Sequence, residues 1–380
     1  MVRSRLSLTA LWAAALCLAA PALRAQKEVQ KDAPEGFLEQ VTTHFAQWDL
    51  DHDGELSVSE IDSAVSDPKT TGESAAAIVA LKQATRSKKF MLPALTLENL
   101  KMLSQAAPDK EKPNFTKLYT AAHKKIHKTR RDLFASGLPK LETVRQGRLG
   151  DCFCLAPLGA MLARSPQEVA DRFVAQPDNS YQFLFGKSPV HVTAPTDAEM
   201  ALTAASVQDG LWINLYEKAV GTDRLQGKSD TPPTGSVIDA VGKGGSAGTV
   251  LSRLTGHKVA RFSCRSAKAA GTPAERDPHL QKLRKQLLAA VQEHHLITCG
   301  TGKTTTPGIT PNHAYAVLDY EEKTDTLRLW NPHGDNFTPK GDAGLEHGYA
   351  RKRGIFSIPL TDFVMQFSGV AFETAEPTAP

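Results

Sequence analysis

Two groups of residues in this 380-residue chain are spaced for chemistry. The first centres on Cys152, which follows the polar turn Gln146-Gly147-Arg148-Leu149-Gly150-Asp151 and opens an apolar segment of helical length reaching Ala163. A thiol at a helix N-terminus meets the positive end of the macrodipole and free backbone N–H groups, which favour its thiolate. A nucleophile of this kind needs an imidazole to exchange its proton with and a third group to orient that imidazole. Far downstream, His313 enters the alternating, β-prone run Ala314 to Tyr320, and Asn331 closes a second such run, Leu327-Arg328-Leu329-Trp330. The polar stretch Glu321 to Thr326 between them is a hairpin turn, so His313 and Asn331 are predicted on neighbouring antiparallel strands. Gln146, ahead of Cys152, is placed to offer its side-chain amide to an oxyanion developing at the attacked carbonyl.

The second group is acidic. Asp49-Leu50-Asp51-His52-Asp53-Gly54-Glu55-Leu56-Ser57-Val58-Ser59-Glu60 matches the twelve-residue EF-hand loop at its ligand positions. A hard dication takes six to eight oxygens. Asp49, Asp51 and Asp53 supply carboxylates, Glu55 its backbone carbonyl, Ser57 a hydroxyl or a bridging water, and Glu60 a bidentate closure. Gly54 takes the positive φ of the turn. The predicted cofactor is Ca2+. Apolar residues at 37, 38, 41, 45 and 48 predict a helix leading into the loop. Beyond it, Ala75 to Lys89 is helix-like, and Leu95 to Leu100 echoes Leu56 to Ile61 with no carboxylate in Lys88 to Ala94. This stretch is either a degenerate, metal-free second hand pairing with the first or an unrelated helical hairpin.

Around these groups the chain reads as an exported globular protein. Arg3 and Arg5 precede the apolar run Leu6 to Ala20, and small residues follow to Ala25, which is a secretory leader over 1–25. The run is short of the about 20 residues that a bilayer-spanning helix needs, so no stable membrane span is expected. With 41% hydrophobic and 23% charged residues the composition excludes wholesale disorder. The net charge of +4 falls to near neutrality once Arg3, Arg5 and Arg24 leave with the leader, so nothing in the overall charge points to nucleic acid. Phe115 to Phe134 is predicted as a helix within a linker or pro-region at 107–134, its run His123 to Arg131 forming a solvated face. Gly242 to Gly248 lacks phosphate-loop spacing and reads as a backbone turn near a cleft. Cys264 and Cys299 fall in β-like segments, either as a disulfide or as two separate buried thiols; Cys154 is expected to face the core.

The Gln-Gly-x-Leu-Gly-Asp-Cys run at 146–152, the segment Gly210-Leu211-Trp212-Ile213-Asn214-Leu215-Tyr216-Glu217-Lys218-Ala219, Asn312-His313-Ala314-Tyr315 and Leu329-Trp330-Asn331-Pro332 resemble, in that order, the core of calpain-family cysteine proteases. Gly354-Ile355-Phe356 with Asp362-Phe363 resembles the family's closing strand and helix. The resemblance implies an α+β, papain-like fold over 135–372, with a helical half carrying the Cys and an antiparallel β half carrying His and Asn. An all-α EF-hand lobe at 36–106 precedes it, and a tail at 373–380 follows. It implies Cys152 as nucleophile, His313 as base and then acid, Asn331 as its orienter and Gln146 as oxyanion donor, acting on protein or peptide substrates. Phe153 and His333 stand where the family usually has Trp. A same-fold amidase or transferase, or a non-catalytic calcium-dependent peptide binder, is the alternative; the substrate and the oligomeric state are not read from these residues.

Overall fold

A computed structural model describes residues 36–107, 109–206, 208–226 and 236–378. The expected leader at 1–25 lies outside the described residues. The first part of the described chain is helical. A helix over residues 36–48 turns Phe37, Val41, Phe45 and Trp48 inward, and Phe37 stacks on Phe115 at 4.6 Å between ring centroids. Helix Val58–Ser66 starts on a capping box in which the Ser57 hydroxyl and the Glu60 side chain satisfy each other's backbone N–H groups. Between the two helices lies the acidic loop, where Gly54 has φ 84° as anticipated, and Leu56 N donates to Leu95 O at 3.2 Å beside an antiparallel bridge from Glu55 to Thr96. Helix Gly72–Arg86 is rich in alanine, buried along nine of its residues, and packs against helices Val58–Ser66, Phe115–Lys128 and Asp197–Leu202.

Two expectations for this region are corrected. The helix predicted over 115–134 stops at Lys128, because the following chain docks against Gly210, and Leu211 N donates to Asp132 O at 3.0 Å. The basic run is not wholly solvated either. Lys125 turns inward and its ammonium donates to the carbonyls of Ala201 and Thr203.

The remaining chain carries the candidate site. Helix Cys152–Arg164 runs unbroken through Pro157 and is buried along most of its length. Beside it lies helix Trp212–Gln226, whose Tyr216 hydroxyl donates to Cys154 O at 2.9 Å. A three-stranded antiparallel sheet, Phe173–Ala175, Ser180–Phe185 and Ser188–Thr193, caps the far side of this half. The other half is a six-stranded, fully antiparallel sheet in the order Ile355–Pro359, Thr326–Trp330, Ala314–Glu321, Ile297–Thr301, Phe367–Pro377, His257–Ser263. The fold is thus mixed α and β with antiparallel sheets. The last strand extends to Pro377 and buries Glu373, so residues 373–377, expected as tail, belong to the sheet. Cys264 and Cys299 are separate buried thiols.

The two halves meet where helix Cys152–Arg164 packs on strand Ala314–Glu321. Trp330, 1% exposed, lays its ring on Gly159, and a Cβ at that position would sit 2.5 Å from Trp330 Cε3. In an open helix Gly→Ala stabilises by about 1 kcal/mol. At Gly159 the sign is expected to reverse: Gly159→Ala should lower the unfolding free energy by roughly 1–3 kcal/mol through overpacking. Urea denaturation of the single variant and of Gly159→Ala with Trp330→Leu checks this, since the second change should recover part of the loss. Equal stability of Gly159→Ala and the parent would show that the two halves do not close on this contact.

Candidate active site

Cys152 is the first residue of its helix, and Asp151 before it holds the cap position. The Asp151 carbonyl accepts from the backbone N–H groups of Cys154 and Leu155 at 2.9 and 3.1 Å and from Cys154 Sγ at 3.0 Å. Cys154 is therefore a buried core thiol and Cys152 the partly exposed one. Cys152 opens onto a cavity of about 500 Å³ that it lines together with His313, Gly245, Gly248, Arg261 and Ser368. The glycine-rich segment at 242–248 forms part of its rim.

His313 directly precedes strand Ala314–Glu321, and Asn331 directly follows strand Thr326–Trp330. Asn312 before it takes the left-handed region at φ 49°, tolerable for a short polar side chain, and fixes where the imidazole leaves the sheet. His313 Nε2 lies 2.9 Å from Asn331 Oδ1, which also accepts from His333 N at 3.0 Å. Asn331 is fully buried and His313 is 7% exposed. With Nε2 donating to Asn331, Nδ1 is the basic nitrogen. The His333 ring abuts His313 edge to face at 4.5 Å. No hydrogen bond joins Cys152 Sγ to the His313 ring among the described contacts; the two share the cavity without a direct bond. Gln146 Nε2 donates to Leu149 O at 2.9 Å, and Gln146 does not line the cavity.

Burial governs the electrostatics. It pushes the Cys152 thiol up, with the Ala314 N–H the main opposing influence. It pulls His313 down to about 4, against the hydrogen bond that the ring donates to Asn331. Both shifts disfavour a thiolate–imidazolium pair in this cavity.

Beneath Cys152 lies a feature that sequence reading missed. Asp151 and Glu217 are both fully buried and face each other. Burial raises both carboxyls, Glu217 well above the ordinary range, and their proximity raises Glu217 further. The direction of both shifts favours a proton held between them, with the Lys125 ammonium, itself lowered to about 8 by burial, facing the pair. Glu217 Oε2 also accepts from Ala204 N at 2.8 Å. The signal available in the sequence was Glu217 itself, a carboxylate within an otherwise buried helix.

At the acidic loop, one carboxylate oxygen each from Asp49, Asp51 and Asp53 lie within 4.8 Å of one another. Asp49 is 6% exposed, and its Oδ1 has no hydrogen-bond partner. Glu60 is not in this group: Oε1 accepts from Leu50 N at 2.6 Å and Oε2 from Ser57 N at 2.8 Å. The Ser57 hydroxyl donates to Glu60 Oε2, and the Glu55 side chain is exposed.

A thiol at a helix N-terminus thus shares a cavity with a His–Asn pair where a helical half meets an antiparallel sheet. The sequence pattern of the calpain family cysteine proteases matches residues 101–344, and the chain belongs to that family. It is similar to the calpain-type cysteine proteases ADL1 of Oryza sativa subsp. japonica (24% identical) and DEK1 of Arabidopsis thaliana (26%) and Zea mays (25%), each over 62% of this chain. The matched region spans only 11–12% of the length of these relatives.

The buried acid pair yields a pH-dependent expectation. A carboxyl whose folded pKa is raised stabilises the fold below its unfolded value, and that contribution is lost as pH rises from about 4.3 toward the folded value. Glu217→Gln keeps a neutral donor for Asp151 without the titration. Its stability relative to the parent should therefore improve steadily from pH 5 to pH 8 in chelator. Glu217→Leu should cost roughly 1–3 kcal/mol at pH 5 by leaving Asp151 and Ala204 N without partners. Parallel stability curves for the parent and Glu217→Gln would show that the pair does not share a proton.

Proposed function

We propose that the chain is an exported, calcium-binding cysteine endopeptidase working through Cys152, His313 and Asn331. The observation that carries this reading is the His313–Asn331 hydrogen bond at the cavity into which Cys152 opens, with Nδ1 as the free ring nitrogen. On substrate entry the Cys152 proton passes to His313 Nδ1, and the thiolate forms an S–C bond to the peptide carbonyl. The developing oxyanion is held by backbone N–H groups at the start of the Cys152 helix and by Gln146 once its amide leaves Leu149 O. His313 then gives its proton to the leaving amine as the C–N bond breaks. Water, deprotonated by His313, attacks the thioester; the acid is released and the proton returns to sulfur. Asn331 keeps the ring in its tautomer throughout.

The acidic loop fits a hard cation. Its three carboxylates converge, and the buried, unpartnered Asp49 Oδ1 is an acceptor with no other use. Asp49, Asp51 and Asp53 would hold calcium, with the Glu55 carbonyl, Ser57 and Glu60 completing the set once Glu60 leaves its capping contacts. Calcium supplies binding free energy to the fold of the N-terminal helices. The bridge from Glu55 to Thr96 is the contact by which paired hands join, which favours a degenerate second hand over an unrelated hairpin.

Three results test these parts. Labelling of Cys152 by an epoxide thiol reagent, mapped by mass spectrometry, should be selective and lost in His313→Ala, with peptide hydrolysis falling roughly 10²–10⁴-fold. Uniform labelling of all four thiols of residues 26–380 would end the peptidase reading. Calcium at one hundred times its dissociation constant should stabilise the chain by about 2.7 kcal/mol, and Asp49→Asn should abolish that shift. Absence of both the shift and calorimetric heat would remove calcium from the account. Export through residues 1–25 predicts an extracytoplasmic product beginning near Gln26, checked by N-terminal sequencing.

A further inference from the structure

The cavity beside Cys152 has a charge pattern that the peptidase reading leaves unused. Apart from His313, its lining is built from small, apolar or neutral residues and one charged side chain, Arg261. No carboxylate lines it. Arg261 sits on His257–Ser263, the edge strand of the six-stranded sheet, opposite Ala371. Its guanidinium lies flat against Gly248, where an added Cβ would be 2.8 Å from Nη1 and 3.0 Å from Nη2. Nη2 has one polar neighbour, Ser246 Oγ, at the long distance of 3.5 Å. Among the described residues Arg261 forms no ion pair. Arg261 is exposed, so its donors rest on Gly248 on one side, face the cleft on the other and are left without an anion, at the same rim that Gly245 and Gly248 give the cleft.

The pattern continues past the cleft. A second depression shares Ser263 and Ser368 with the first and is lined by Arg265 and Lys268, again with no carboxylate. Three cations therefore follow one another outward from Cys152 along the edge strand and the short helix Arg265–Ala269 after it. An extended peptide crossing the Gly245–Gly248 rim lays its side chains along this row.

We infer that Arg261 selects substrates carrying an aspartate or glutamate in the segment that crosses this rim, with Arg265 and Lys268 extending the preference to acidic stretches. The inference rests on the peptidase reading for turnover, but the charge selection belongs to the cleft and is measurable without turnover. A planar guanidinium is suited to paired hydrogen bonds with a carboxylate. The small residues around it leave room for that carboxylate, and a lysine in the same place would be repelled.

The test uses the full mature chain and quenched fluorescent peptides identical except at one position, which is Asp, Asn or Lys and is moved stepwise through the residues flanking the cleaved bond. At one of these positions kcat/KM should favour Asp over Lys by about tenfold, and the ratio should shrink as salt is raised from about 0.05 to about 0.5 M. Arg261→Glu should invert the ratio at that same position. In parallel, fluorescence anisotropy of the Asp and Lys peptides on Cys152→Ala and on Cys152→Ala with Arg261→Glu reads the selection from binding alone. Cleavage of all peptides with no Asp preference, or a preference unmoved by Arg261→Glu, overturns the inference and leaves the peptidase reading intact. No cleavage of any peptide, together with Asp-selective binding that Arg261→Glu reverses, sinks the peptidase reading and upholds the inference. Binding without charge selection in the absence of cleavage overturns both.

Discussion

The architecture depends on how closely Trp330 is held. Its ring lies on Gly159 of the Cys152 helix from one side, and Gly354 approaches Cδ1 from the other, where a Cβ would be 2.9 Å away. Trp330 is paired with Ala316, and Asn331, the next residue, donates its N–H to Gly354 O at 2.9 Å. One aromatic side chain therefore sets the spacing between the helix that begins at Cys152 and the two strands whose ends carry His313 and Asn331. Cys152 and His313, far apart in the chain, reach one cavity, with Asn331 buried behind the imidazole, because a ring fits between two glycines. The contact stabilises through area, since a buried Trp contributes some of the largest apolar burial available to a fold. Its rigidity also carries over to the neighbouring side chains.

That closeness has an electrostatic consequence. A dry, tightly packed junction is a poor place to create charge, which is why burial raises the Cys152 thiol and lowers His313. Two ionised carboxylates directly under the thiol would make a thiolate harder still to form. Burial raises both carboxyls of the Asp151–Glu217 pair, which disfavours that state, and Lys125 faces the pair. The Ala314 N–H, followed by the first N–H groups of the helix, is left as the main local influence in favour of the Cys152 anion.

Much of this was legible in the chain. The spacing of Asp49, Asp51 and Asp53 and the position of Gly54 are local properties, and a local pattern survives folding because all of its partners lie within one loop. The hairpin joining His313 to Asn331 was legible for the same reason: alternation and a polar turn determine it without help from the rest of the molecule. The Asp151–Glu217–Lys125 cluster was not, because three segments far apart in sequence create it, and Lys125 in isolation looks like one more cation in the run His123 to Arg131. The inner end of that run, the early stop at Lys128 and the extension of the last strand to Pro377 are all decisions made by tertiary contacts rather than by propensity. Gln146 shows the limit from the other side, since its position before Cys152 is plain in the sequence while the direction of its amide is set by Leu149 O.

The N-terminal helices share their polar groups with the half of the fold that carries Cys152. Lys82 is fully buried and pairs with Asp62, on the helix that leaves the acidic loop, and with Asp239 Oδ2 at 2.6 Å. Asp239 belongs to helix Val237–Gly242, which leads into the glycine-rich rim of the cleft. Thr196 Oγ1 donates to Val65 O at 2.6 Å, and Gly72 N to Asp197 Oδ2 at 2.9 Å. Removing the first hundred or so residues would leave Asp239 and Asp197 without these partners and take away the cover over helix Asp197–Leu202. The helical segment is therefore part of the same folding unit as the candidate site, and any change at the acidic loop acts on a helix whose far end is bonded to the body that carries Cys152.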